Sequence, residues 1–110
     1  MAGWYELNKS SDGQCRFLLK SEAGETLLTS ELYKAKDSAE AGIVSVRANS
    51  PSDARYERKV SSNGKPYFNL TAANHQVIGT SQMYASEQSR EAGIAAVKAS
   101  GPTTLIKANT

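Results

Sequence analysis

The sequence predicts an α+β fold in which two copies of one unit, three short strands and then a helix, share a single hydrophobic core. Three observations carry that prediction. Sliding the chain against itself by 51 residues aligns Tyr5 with Tyr56 and runs without a gap to Pro51 and Pro102, with 18 of 47 positions identical. That is too many at one register for chance. Each copy opens with short runs bounded by turn residues, as strands do, and closes on a small and apolar stripe at helical spacing. A unit of about 50 residues is too small for a comfortable core of its own, so the two copies should close on each other as a pseudo-dimer. The expected organisation is one compact domain over 1–110, with repeat one at 3–52 and repeat two at 54–110.

The strands are expected at 4–9, 15–20 and 25–30, and again at 55–60, 66–71 and 76–81. For the first turn, a two-residue Asp12-Gly13 loop would split the apolar residues between faces. A three-residue loop, Ser11-Asp12-Gly13 with Gly13 left-handed, instead sets Leu7 opposite Phe17 and Tyr5 opposite Leu19 on one face. The same parity at the second turn, centred on Ala23 and on Asn74, aligns Leu19 with Leu27 and Leu70 with Ile78. It leaves Gly24 and His75 in the left-handed position, which histidine tolerates better than most side chains. Helices are expected at 36–49 and 87–100. Ser86 suits the N-cap of the second, while the first has Ala35 there and is expected to cap on Asp37 or Ser38 a turn later. Gly42 and Gly93 sit inside the apolar stripes, where glycine costs about 0.5–1 kcal/mol against alanine, so their repetition points to close helix-to-sheet approach. Pro51 and Pro102 end the helices, and Thr103–Lys107 can add a fourth strand equivalent to Ser52–Tyr56.

Composition excludes several classes. Thirteen Lys and Arg against eleven Asp and Glu leave a net charge of +2, far from the concentrated excess that a phosphate backbone selects. No basic n-region leads into an apolar stretch, and no apolar run is long enough for a membrane helix. Cys15 is the single cysteine, so no internal disulfide can form and a reducing, cytoplasmic setting is expected.

The runs GWYELNKSSDGQCRFLLK and NGKPYFNLTAANHQVIG, TSELY with its echo TSQMY, and SAEAGIVSVRANSP with its echo SREAGIAAVKASGP resemble the YegP-like family of small bacterial proteins. The family is uncharacterised and built from this tandem unit of unknown function, and the resemblance covers essentially the whole chain. It implies two β(3)-α-β units sharing one antiparallel sheet, with two helices packed on one face, a pseudo-twofold axis and C-terminal strands swapped between units. It implies no activity, cofactor or catalytic residue.

Function therefore has to be argued from surfaces. With Tyr5, Phe17, Leu19 and Leu27 turned to the core, Trp4, Glu6, Arg16, Leu18, Lys20 and Leu28 turn the other way, joined from repeat two by Arg55, Glu57, Tyr67, Asn69 and Val77. That mixture of aromatic, aliphatic and arginine side chains is typical of interfaces. Trp4, Arg16, Leu18, Arg55 and Tyr67 are its candidate residues, with a protein or small ligand as partner and the chain itself a monomer. The alternative is single-stranded nucleic acid, with Trp4 and Tyr67 stacking on bases beside Arg16, Arg55, Lys20 and Lys59, but Glu6 and Glu57 among them oppose a phosphate backbone. An enzyme is not expected. Cys15 and His75 face unlike counterparts, Pro66 and Gly24, the pair Glu40/Glu91 flanks a core stripe, and no nucleotide, nucleophile-elbow or metalloprotease motif occurs. No cofactor or metal is expected either. Tyr33 and Tyr84, each just before a helix, are read with Gly42 and Gly93 as structural. The ring would cover the core edge and the hydroxyl would bond the connecting backbone.

Overall fold

The computed structural model describes residues 3–109. Its strands are β1 (Trp4–Lys9), β2 (Cys15–Lys20), β3 (Thr26–Thr29), β4 (Tyr56–Val60), β5 (Pro66–Thr71), β6 (Val77–Thr80) and β7 (Ile106–Asn109), and its helices are α1 (Lys36–Asn49) and α2 (Glu87–Ser100). The strands form one sheet in the order β4-β5-β6-β3-β2-β1-β7. Repeat meets repeat at its centre, where Thr29 of β3 pairs with Thr80 of β6. Alternation along β1, β2 and β5 sends Tyr5, Leu7, Phe17, Leu19, Phe68 and Leu70 to one face, where all are fully buried. Each helix lies across strands of both repeats, α1 on β2, β5 and β6 and α2 on β2, β3 and β5, so the two halves have one core between them.

The first hairpin has the expected register, Tyr5 opposite Leu19 and Leu7 opposite Phe17. Its turn closes through Gly13 N–H to Ser10 O at 3.0 Å, with Gly13 at φ 87°. The second hairpin departs from expectation. Gly24 and His75 are left-handed as argued, His75 at φ 67°, and Lys20 faces Thr26 in the expected register. A bulge between Leu19 and Lys20 then shifts the pairing, so that Leu19 meets Leu28 rather than Leu27, and Leu70 meets Gly79 rather than Ile78. An extra residue in one strand interrupts the alternation. Leu27 and Leu28 are consequently both buried, and Leu28 belongs to the core, not to the opposite face.

Both helices span the residues that periodicity gave them. Ser86 caps α2 by accepting from Ser89 N–H at 3.1 Å. In α1 the cap is Ala35, without a side-chain bond, so neither Asp37 nor Ser38 starts the helix. The hydrophobic register has fixed the start despite the missing cap, as tertiary packing does.

The connections after the helices are unlike. Beyond α2 the chain crosses to repeat one and forms β7, parallel to β1 with Tyr5 beside Ile106 and Glu6 beside Lys107. This is the exchange of a C-terminal strand, and the one parallel pairing among the described residues. It begins three residues later than Thr103. Beyond α1, the segment expected to match it makes a 3-10 turn, Asp53–Arg55, and runs directly into β4. The residues 51 positions before β7 are 55–58, and most of them are β4 itself. Fusing two units end to end has merged one unit's last strand with the next unit's first.

Thr29 and Thr80 meet across the pseudo-twofold axis as like residues, but at two tighter contacts between equivalent positions one of the pair is glycine. A Cβ on Gly79 would lie 3.3 Å from Leu28 Cδ1, and one on Gly101 would overlap the Ser50 side chain. Leu28 and Gly79, like Ser50 and Gly101, are 51 residues apart. Two identical side chains cannot occupy one point on an axis, and a duplicated chain can shrink one of them. Around the same junction, Tyr5 Oη donates to Gly101 O at 2.6 Å and Tyr56 Oη to Ser50 O at 2.7 Å, so each repeat's first tyrosine holds the end of the other repeat's helix.

Candidate functional site

Both helices occupy one face of the sheet, and no described residue covers the other. Registered partners form an unbroken row across all seven strands of that face: Lys107, Glu6, Leu18, Thr29, Thr80, Asn69 and Glu57. None of the seven is buried. The row is nearly symmetric about the Thr29–Thr80 pair, with Glu6 matching Glu57, while Leu18 on one side answers to Asn69 on the other. Thr80 Oγ1 donates to Asn69 Oδ1 at 2.9 Å, and Lys20 Nζ donates to Thr26 Oγ1 at 2.7 Å.

At the centre of the row, beside the Thr29–Thr80 pair, lies a cavity of about 490 Å³ lined by Thr26, Thr29 and Glu31 from one repeat and Val77, Thr80 and Gln82 from the other. Ser30 and Ser81 also touch it, but their hydroxyls are engaged in the main chain. Ser30 Oγ accepts from Phe17 N–H at 2.9 Å and donates to Glu31 O at 2.8 Å, and Ser81 does the same with Phe68 and Gln82. The repeated Thr-Ser pair thus divides its work, serine fixing the strand end and threonine facing outward. The repeat signalled this pair in the sequence, whereas Glu31 and Gln82 carried no signal, because only the pairing of β3 with β6 brings them to one site.

Arg16, Leu18 and Tyr67 lie on the open face, with Arg16 exposed and the others partly so. Trp4 joins them with its ring occupied: Lys107 Nζ sits 4.1 Å from the ring centroid and Trp4 Nε1 donates to Glu6 Oε2 at 3.2 Å. Arg55 lies outside β4. It belongs to the 3-10 turn, where strand alternation no longer applies, and its carbonyl accepts from Thr71 Oγ1 at 3.0 Å.

Tyr33 and Tyr84 stack on Phe17 and Phe68 at ring separations of 6.1 and 6.2 Å. A Cβ on Gly42 would lie 2.7 Å from Tyr33 Oη and 2.8 Å from Phe17 Cε2, and one on Gly93 would overlap Tyr84 Oη. The glycines admit the tyrosines, which is the close approach their repetition required. The hydroxyls do not bond the connecting backbone as expected. The tyrosine main chain makes that link, Tyr33 N–H to Cys15 O at 2.6 Å with Cys15 N–H returning to Tyr33 O at 2.7 Å, and Tyr84 N–H to Pro66 O at 2.8 Å. Partial burial raises both phenols above their usual pKa, reinforced at Tyr33 by Glu31 and opposed at Tyr84 by a hydrogen bond with Gln82. A second cavity, about 340 Å³, runs beside Tyr84 between Leu27 of repeat one and Gly93 and Ala96 of α2.

The remaining reactive groups are dispersed. Cys15 is buried and His75 is at an exposed turn. Glu40 is solvated, whereas Glu91 receives Arg58 Nε at 2.9 and 3.0 Å and Arg90 Nε at 3.1 Å. Desolvation raises the Glu91 carboxyl, but the two arginines together outweigh it and hold it below the usual range. Bonds from Lys98 and Arg58 do the same to Asp53. Among the described residues no group of three His, Cys, Asp or Glu is placed to hold a metal ion, and no helix is long and apolar enough to cross a membrane.

These features define a class, a tandem α+β protein whose repeats build one sheet with helices on a single face. A family model described as a domain of unknown function (DUF1508) matches twice, at residues 10–57 and 61–107, and the chain belongs to that family. It is 67% identical over 110 residues to the UPF0339 protein YegP of Escherichia coli K12, covering both chains in full. It is 51% identical over 106 residues to a UPF0339 protein in the ptx operon 5' region of Stutzerimonas stutzeri, covering 96% of each. Among solved structures, the solution structure of yegP from E. coli, a protein of unknown function, matches with TM-score 0.94 at 67% identity, over 100% of this chain and 95% of that one. A UPF0339 protein from Shewanella oneidensis matches with TM-score 0.92 at 58% identity, over 98% and 92%. The family carries no assigned function.

Proposed function

We propose that the protein is a non-enzymatic recognition module, a cytoplasmic monomer that takes a protein partner on the open face of its sheet. The observation that carries this reading is the uncovered seven-strand row with a cavity at its centre. Apolar Leu18 and Tyr67 lie among hydroxyls, amides and charges of both signs, as in the mixed surface of protein interfaces. Single-stranded nucleic acid suits the face less well, because Lys107 already occupies the Trp4 ring on which a base would stack, and Glu6 and Glu57 repel phosphates. The reading is tested with tagged protein in cell lysate. Leu18→Glu should lose the proteins captured by the wild type while melting within a few degrees of it. Identical capture profiles reject the face as the interface, and oligonucleotide quenching of Trp4 fluorescence that fades with salt would favour nucleic acid instead.

A further inference from the structure

The outer edge of β4 stands in the same relation to repeat two as the outer edge of β1 does to repeat one, and among the described residues a strand covers β1 alone. On β1, the Tyr5 N–H donates to Leu105 O at 3.0 Å and β7 continues alongside in parallel. The corresponding N–H, that of Tyr56, is turned back onto Asp53 O by the 3-10 turn. By alternation the main-chain groups of Arg58 and Val60 face the open edge, where Val60 is 59% exposed. Among the described residues no segment lies along this edge, and the residues equivalent to β7 are mostly part of β4 itself.

We infer that the β4 edge is a second docking surface, one that accepts an extended peptide in parallel by strand addition. β7 on β1 shows which peptide fits. There an apolar residue, Ile106, lies beside Tyr5, a basic one, Lys107, beside Glu6, and a small one, Ala108, beside Leu7. Repeat two keeps the first two of those receiving residues, as Tyr56 and Glu57, but the Tyr56 N–H stays with Asp53 O, so an added strand takes its main-chain bonds from Arg58 and Val60. At the third, Arg58 is drawn back to Glu91 and Asp53, so a small residue opposite it meets no loose cation. The occupant is therefore a segment of a partner protein with the pattern apolar, basic, small, its basic side chain paired with Glu57.

The probe is a peptide of the sequence TTLIKAN, added to the ¹⁵N-labelled full chain. Saturable amide shifts should centre on Arg58 and Val60. Glu57→Lys should weaken binding at least tenfold, and a peptide with glutamate in place of its lysine should restore affinity to that variant. Shifts centred on β1, meaning the peptide only competes with β7, would overturn the proposal. So would a Glu57→Lys variant that binds as tightly as the wild type, or no saturable shift on β4 up to about 1 mM, the weak limit of a useful contact.

Discussion

At the scale of single residues, the tyrosine and glycine that recur in each repeat are one device. Gly42 was legible as a point of close approach because glycine costs stability inside a helix. What approaches it was not legible, since periodicity identifies a buried stripe without naming the side chain on the far side. The Tyr33 ring fills that place, and its hydroxyl has no backbone bond to lose. Gly42→Ala should therefore destabilise by about 1–3 kcal/mol through overpacking. Tyr33→Phe should cost less than about 1 kcal/mol, and the double variant should fall short of the sum, because removing Oη vacates part of the space the new methyl needs. Urea denaturation of the three variants measures this coupling, and strict additivity would show that glycine and tyrosine are independent.

At the scale of elements, helices and first hairpins followed from the sequence because each is written in a local pattern, the helical stripe in one case and the strand parity about a tight turn in the other. The second hairpins did not. Leu27 and Leu28, or Ile78 and Gly79, form a short apolar run whose parity a bulge can shift without leaving any residue stranded. The bounds of α1 were legible but its cap was not, since Ala35 offers no side-chain bond and the packed stripe sets the start without one. That omission is testable. Ala35→Ser should stabilise by about 0.5–2 kcal/mol and Ser86→Ala should destabilise by a similar amount. Thermal melting that moves both variants in the same direction would contradict the assignment of caps.

The whole molecule is governed by the axis, and the axis was the least legible feature. Nothing in one repeat announces that Thr29 will meet Thr80, that Leu28 will lie over Gly79, or that Tyr5 will reach Gly101. Those contacts make the halves complementary, and they carry a pH dependence. Burial pushes the Tyr5 and Tyr56 phenols well above their ordinary value of 10.0. An acid with a raised folded pKa contributes its stability in full below the unfolded value and loses it as pH rises beyond. Stability should therefore hold up to about pH 10 on this account and decline above it. The Tyr5→Phe, Tyr56→Phe variant should be less stable at neutral pH, by about 1 kcal/mol for each lost bond, yet decline less steeply in alkali. Equal alkaline slopes in denaturant titrations would show that these tyrosines are not the groups responsible.

The same axis places the central cavity on the open face, and the claim that this face recognises a partner is tested most directly by amide line widths. The ¹⁵N spectrum of the labelled protein is recorded in buffer and then in crude cytoplasmic lysate. Selective broadening is predicted for Glu6, Leu18, Thr29, Thr80 and Asn69, with α1 and α2 unchanged beyond the general effect of viscosity. Broadening concentrated on the helices, or spread evenly over the chain, would contradict the account.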